Sequence, residues 1–261
     1  MADTTDDNTL YVVDGTGFIF RAYHALPSLS APDGTPTGAV YGFSSMLSKL
    51  LDDHDPAHFA VVFDAGERTF RNDIYPDYKA NRPPPPEDLV PQFAIVERVV
   101  RAFNIPLLSL RGYEADDVIA TLVRRAGEAG MSVVIVSSDK DLMQLASDSV
   151  ALVDTMKDRR YGPAEVEHKF GVAPQQLGDW LALCGDTVDN VPGVPGIGPK
   201  TATKLLTQFG DLETVLASAD QVRGAKLKQN LVQHAEQARL SRRLVQLDSD
   251  CPLEQPVDRL R

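Results

Sequence analysis

Short apolar runs recur along the first part of this chain, and aspartates stand at or just beyond the ends of three of them. The runs occupy residues 10–13, 59–63, 105–108 and 133–136, with a weaker one at 151–153. Each is continuous rather than alternating, which suits a strand buried on both faces. Longer stretches at 38–51, 91–103 and 114–129 lie between the runs and read as helices. Strand–helix alternation of this kind predicts an α/β domain on a parallel sheet with right-handed crossovers. From about residue 171 onward no run reads as a strand, and short helices are punctuated by Gly and Pro. The chain is therefore expected to divide into a flexible N-terminus (1–9), an α/β domain (10–169) and an all-helical part (170–261). The prolines at 83–86 cannot be helical and mark a loop or bend.

Acids collect where the strands end. Asp14 directly follows the first run, Asp64 the second, and Asp139 and Asp141 come just after the fourth. In an open parallel sheet, ligands sit beyond the carboxyl ends of the strands, so these acids share one edge. Glu114, Asp116 and Asp117 open the helix after the third run, and Glu114 and Asp117, three apart, share a helix face. Asp186 and Asp189, also three apart, lie in the segment 185–191 at the start of the helical part. Any one of these acids has a plain structural explanation, because acids are favoured in first helical turns and Asp in turns. Nine carboxylates converging with no comparable Lys or Arg nearby would repel one another unless cations neutralised them. All-oxygen ligands select hard cations, which points to Mg²⁺ or Mn²⁺. More acids than one ion needs predicts two or more ions, as in two-metal phosphoryl chemistry.

Composition places the chain among ordinary globular proteins, with 43% hydrophobic and 24% charged residues over 261 positions. No apolar run approaches the roughly 18 residues needed to cross a membrane, and the acidic, polar first ten residues do not read as a signal peptide. Two cysteines without a C-x-x-C pattern suggest reduced thiols and a cytoplasmic setting. A net charge of −11 argues by itself against a nucleic-acid partner. The distribution argues otherwise: residues 197–243 hold eight Lys or Arg against four acids, leaving −15 on the remainder. An acidic centre suited to cations and a basic helical region suited to phosphates account for the split.

The basic region opens with the hairpin VPGVPGIGPK at 191–200. Gly193, Gly196 and Gly198 permit backbone conformations closed to other residues and let amide groups approach an anion. A helix expected over 201–209 follows, so the turn ends at a helix N-terminus, where Lys200 and Lys204 add charge. A tight turn between two helices is the plainer alternative. Residues 68–82 form a third informative segment, with four basic and three aromatic residues interleaved with acids. Composition alone leaves it balanced between a solvated helix and a nucleic-acid contact. Its place directly after Asp64 makes it overhang the acidic edge, where aromatics can stack on a base and cations can hold a phosphate.

Other α/β chemistries fit less well. The segment Asp14-Gly-Thr-Gly lacks the second acid of haloacid-dehalogenase-type phosphatases, since Thr16 stands in its place. Phe20 stands where a dinucleotide fingerprint needs its third glycine, and no Walker-type loop is present.

Taken together, VVDGTGFIFRAYHALP (12–27), VVFDAGERTFRNDIYPDYKANR (61–82), GYEADDVIATL (112–122), SSDKDLMQL (137–145) and GDTVDNVPGVPGIGPKTA (185–202) resemble the 5′-nuclease family. That family includes the 5′–3′ exonuclease domain of bacterial DNA polymerase I, phage 5′ exonucleases and flap endonucleases. The resemblance implies a PIN-like parallel-sheet domain and a C-terminal helix–three-turn–helix DNA-binding module. It implies metal-ligand roles for Asp14, Asp64, Glu114, Asp116, Asp117, Asp139, Asp141, Asp186 and Asp189. It implies a helical arch at about 68–100, with Lys79 and Arg82 as catalytic charges at its base and Tyr78 as a stacking residue. Arg21 resembles a further DNA contact, and the glycine hairpin a module that grips the duplex backbone, with K⁺ bound there. The implied enzyme is a structure-specific 5′–3′ exonuclease and 5′ flap endonuclease of replication and repair, dependent on Mg²⁺ or Mn²⁺. Its substrates would be DNA, or RNA primers on DNA, with a 5′ flap, nick or free 5′ end. A monomer working in the cytoplasm at the nucleoid is implied as well, either as part of a longer polymerase or free-standing. Two competing readings are a silent junction-binding protein, which the presence of Asp186 and Asp189 opposes, and a small-molecule phosphatase, which the glycine hairpin opposes.

Overall fold

The computed structural model describes residues 8–261. Most of the expected flexible N-terminus (1–9) lies outside the described residues, and Thr9 already belongs to the first strand.

Five parallel strands and one antiparallel edge strand form a single sheet in the order β3-β2-β1-β4-β5-β6. They are β1 (Thr9–Asp14), β2 (His58–Val62), β3 (Leu107–Leu108), β4 (Ser132–Val136), β5 (Val150–Asp154) and β6 (Arg159–Tyr161). All five residues of β2 are buried, as are the last four of β4, which is why these runs read as continuous rather than alternating. The third run is shortened to two residues. Pro106 lacks an N–H and enters only through its carbonyl, which accepts from Val61, so the ladder starts at Leu107.

Helices cover both faces. On one face α1 (Gly15–Ala25), α2 (Gly38–His54) and α4 (Val90–Ala102) enclose Phe18, Phe43, Leu47, Val96 and Val100. On the other, α5 (Ala115–Glu128) packs Val118, Ile119 and Leu122 against the sheet. The core on that face continues into α6 (Pro163–Phe170), α7 (Leu177–Cys184), α8 (Pro199–Phe209), α9 (Leu212–Ala217), α10 (Ala225–Gln233) and α11 (Ala235–Val245). No described helix is long and apolar enough to cross a membrane.

Three expectations are corrected. Residues 159–161 form an unforeseen strand, too short and too basic to read from sequence. The helical part does not run to the end: residues 246–261 return along α5. Arg124 Nε donates to the Ser249 carbonyl (2.7 Å), Arg125 to that of Leu253 (2.8 Å), and Phe59 N–H to that of Leu260 (2.9 Å). The arch expected over 68–100 is also cut short. Its latter part is α4, whose apolar face is fully buried through Val96 and Val100. Buried Gln92 further ties α4 to the start of α2 by accepting from Ala39 N–H (2.8 Å). Only 68–89 remains outside the core helices, and within it just α3 (Phe70–Ile74) is helical.

Strand order reverses between β1 and β4, which makes their carboxyl ends a topological switch point. Asp14 ends β1, and Asp139 follows β4 by three residues.

Candidate metal-dependent active site

Asp14 caps α1: its Oδ1 accepts from Gly17 N–H (2.9 Å) and its Oδ2 from the Ser137 hydroxyl (3.0 Å). The carboxylate sits so close to the first helical turn that a Cβ on Gly17 would fall 2.3 Å from Oδ2. Ser137 also accepts from Asp139 N–H (3.0 Å), joining the ends of β1 and β4. Asp64 N–H donates to Thr16 Oγ1 (3.0 Å), and Asp64 Oδ1 accepts from Ala115 N–H (2.9 Å), the first amide of α5. Glu114 caps α5, and Asp116 lies in its first turn. Ser137 and Thr16 are positioning residues that sequence reasoning missed; each lies two residues from an acid of this edge, a signal that could have found them.

The acids fall into two groups joined by Asp139. Asp14 feels the charges of Asp64 and Asp139, and Asp116 those of Asp139 and Asp14. Asp141, Asp186 and Asp189 form the outer group, each offering an oxygen within 4.8 Å of the others. Asp141 feels Asp139 as well as Asp189 and Asp186. Its Oδ1 is buried and takes no hydrogen bond. A buried carboxylate oxygen without a hydrogen bond, on a residue grouped with two other carboxylates in an all-oxygen set, fits a hard divalent cation.

Asp186 and Asp189 are held by a tight loop between α7 and α8. Asp186 and Val191 exchange both backbone hydrogen bonds (2.9 and 2.7 Å). The loop closes where Gly193 (φ 63°) meets Gly185: a Cβ on Gly193 would lie 2.4 Å from Gly185 N. The segment 77–82 is stitched to the same loop. Lys79 N–H donates to the Asp189 carbonyl (3.0 Å), Asn190 Nδ2 to that of Asp77 (2.7 Å), and Asn81 Nδ2 to that of Thr187 (2.7 Å).

Several residues sit differently from expectation. The acids are not free of cations. Lys79 Nζ reaches Glu114 (2.7 Å) and Asp189 (3.7 Å), Arg82 pairs with Asp189, and Lys140 Nζ reaches Asp186 (2.6 Å). Asp117 is not a metal ligand here. It is fully buried and gripped by both Arg71 nitrogens (2.6 and 2.7 Å), with Glu114 N–H and Asp248 N–H also donating to it. Every lone-pair direction of that carboxylate is taken. The Glu114-x-x-Asp117 spacing is that of a capping box, the signal that marks Asp117 as structural. Tyr78 offers no face to a base, being 5% exposed with its hydroxyl donating to Glu114 (3.2 Å). Gly193 N–H is not available to a phosphate, because it donates to the buried Ser241 hydroxyl (3.0 Å). Arg21 is engaged by buried Asp154 (3.3 Å) and by Ser138, beside Asp139. Gly196, Gly198, Lys200 and Lys204 are exposed around the N-terminus of α8, apart from the acids in sequence.

Electrostatics follow from this crowding. Burial, aided by Asp64 and Asp139, lifts the Asp14 carboxyl from 3.8 to about 6 against the pull of the Gly17 and Ser137 hydrogen bonds. Burial and Asp139 lift Asp141 to about 7, with Lys140 opposing. Asp116 is pushed well above the usual carboxylate range, first by burial and then by Asp139 and Asp14. Groups raised in the folded state stabilise it fully only below their unfolded values, and that contribution is lost as pH climbs through about 6 to 7. Protons and cations compete for the same oxygens. The rise in Tm on adding Mg²⁺ should therefore be small near pH 5 and much larger near pH 8. Thermal melts at both pH values, with and without the ion, check this; equal gains would contradict it.

Known proteins bear on the same residues. A family model described as 5′-3′ exonuclease, N-terminal resolvase-like domain, matches residues 9–171, and one described as 5′-3′ exonuclease, C-terminal SAM fold, matches 172–261. DNA polymerase I of Rhizobium leguminosarum is 51% identical over 96% of this chain, which spans 26% of that protein. A 5′-3′ exonuclease of Aquifex aeolicus is 43% identical over 94% of this chain and 84% of its own length. Among solved structures, the T5 5′-exonuclease with bound zinc superposes with a TM-score of 0.77 at 27% identity, covering 92% of this chain and 90% of that one. A bacteriophage T5 flap endonuclease in a pseudo-enzyme-product complex with DNA and metal ions gives the same TM-score, identity and coverage.

Proposed function

Because this chain belongs to the 5′-3′ exonuclease family, we propose that it hydrolyses DNA phosphodiesters at a 5′ end or at the base of a 5′ flap, leaving a 5′ phosphate. The two acid groups meeting at Asp139 carry this reading. Asp14, Asp64, Asp116 and Asp139 would hold one Mg²⁺ or Mn²⁺, and Asp141, Asp186 and Asp189 another, with Glu114 alongside. Bound divalent ions supply Lewis-acid polarisation of the phosphate and a water nucleophile at neutral pH.

The chain's own residues do the rest. Lys79 and Arg82 are anchored on Glu114 and Asp189, at the side of the acids where 77–82 lies. With divalent ions on those carboxylates, Lys79 and Arg82 would be released to place their charge against the scissile phosphate and stabilise what develops on it. Residues 68–89 overhang the acids and restrict entry to an unpaired 5′ strand. Exposed Gly196, Gly198, Lys200 and Lys204 at the start of α8 hold the duplex backbone, where a K⁺ would supply further positive charge. Arg21, held beside Asp139 by its hydrogen bond to Ser138, takes a further phosphate. A 5′ flap, a nick or an RNA primer on DNA all present the strand end this layout accepts.

Cleavage of a 5′-labelled flap with Mg²⁺, beside a divalent-free control, tests the proposal. Cleavage in both tubes, or in neither, would overturn it. The grip is tested separately: Lys200→Ala should weaken flap binding whatever the sequence and lower the salt slope by about one. Saturating enzyme should then recover most of the rate. Unchanged binding at two salt concentrations would remove the α8 N-terminus from the interface.

A further inference from the structure

The two acid groups are neutralised differently. Among the described ion pairs, none joins a lysine or arginine to Asp14, Asp64, Asp116 or Asp139. The outer triad is different, because Lys140 Nζ lies 2.6 Å from Asp186 Oδ2 and 3.7 Å from Asp141 Oδ1. That Asp141 oxygen is the buried one without a hydrogen bond. The ammonium thus stands between two of the three carboxylates that can share a cation.

We propose that Lys140 is a built-in competitor for the outer cation position: its ammonium neutralises Asp186 and Asp141 when no divalent ion is bound, and must leave for one to enter. This rests on the nuclease reading of the same acids. Position and chemistry both favour it. Lys140 sits between Asp139 and Asp141 in sequence, so its backbone is fixed at the site whatever its side chain does. A single-point ammonium on a four-carbon stem can swing out at little cost, unlike a bidentate guanidinium. Its side chain is 34% exposed, whereas that of Arg71, locked on Asp117, is 1% exposed. Lys79 is a poorer competitor, since its ammonium lies 2.7 Å from Glu114, outside the triad, and 3.7 Å from Asp189, its one partner within it. A tethered cation spares the metal-free protein the mutual repulsion of three carboxylates, and it weakens the outer position for divalent ions by the same interaction.

Calorimetric titration of Mn²⁺ into the wild-type protein, Lys140→Gln, Lys140→Arg and Lys49→Gln tests this without reference to cleavage. Lys49 pairs with Asp53 on the exposed side of α2 and controls for net charge alone. Lys140→Gln should tighten the weaker class of Mn²⁺ sites by about tenfold or more and leave the tighter class nearly unchanged. Its metal-free form should melt lower than wild type and gain more on Mn²⁺ addition. Lys140→Arg, which keeps the charge, should bind no more tightly than wild type, and Lys49→Gln should match wild type. Lys140→Gln binding no tighter than wild type, or tightening equalled by Lys49→Gln, would overturn the proposal while leaving the nuclease reading intact. No Mn²⁺ binding by wild type would instead remove the nuclease reading itself.

Discussion

Asp141→Asn should lower single-turnover flap cleavage at saturating enzyme by on the order of 10²–10³-fold, with flap affinity unchanged or slightly improved. The carboxylate contributes little to the fold: its Oδ1 takes no hydrogen bond, and the local turn is held by the Asp141 backbone N–H on Asp139 Oδ1 (2.9 Å). An amide of the same shape keeps that turn but cannot hold a cation as a carboxylate does. Without metal, one negative charge fewer at the site also repels the phosphate less. The comparison needs cleavage rates and a binding titration on the same substrate. Loss of binding in proportion to loss of cleavage would mean that Asp141 serves affinity rather than chemistry.

Arg71→Ala should have the largest effect on stability of any single change in this region. Removing one partner of a buried ion pair leaves the other charge uncompensated, at a cost of roughly 3–5 kcal/mol. For a chain of this size that lowers Tm by roughly 6–20 °C. Arg71 is 1% exposed, and besides Asp117 it donates to the carbonyls of Leu244 and Gln246 (both 2.7 Å). One side chain thus joins α3, the acidic start of α5 and the chain leaving α11. The change should also blunt cleavage beyond its effect on folding, because Glu114 N–H is fixed by the same Asp117 carboxylate (3.0 Å). A melt within a few degrees of wild type would show that the pair is dispensable, and that Asp117 is free to serve elsewhere.

That pair also shows where the sequence stops being legible. Strands β1, β2, β4 and β5 announce themselves because both their faces are buried, so apolar runs mark them without any knowledge of the sheet order. The acids at their ends follow from the geometry of a parallel sheet. Asp117 looks identical in sequence to Asp116, one residue away, yet one faces the other acids and the other faces Arg71. Local spacing carries only the capping box with Glu114; the rest of the distinction depends on a partner 46 residues distant and on backbone groups more than 100 residues further on. The pairing of Lys79 and Arg82 with Asp189 was hidden for a related reason, whereas Lys140 stands beside Asp139 and Asp141 in the sequence itself. Lys79 and Arg82 reach Asp189 only because residues 77–82 are stitched to a loop over 100 residues later. Gly193 was legible as a glycine that must be glycine, but what requires it is contact with Gly185 rather than a phosphate.

The measurement that tests the account most directly is anomalous diffraction from crystals soaked in Mn²⁺. Two peaks should appear at the carboxyl edge of the sheet. One should be bounded by Asp14, Asp64, Asp116 and Asp139, the other by Asp141, Asp186 and Asp189, with Lys140 swung clear of the second and Asp117 still on Arg71. An edge without peaks at saturating Mn²⁺, or with Mn²⁺ found only at exposed acids elsewhere, would contradict it.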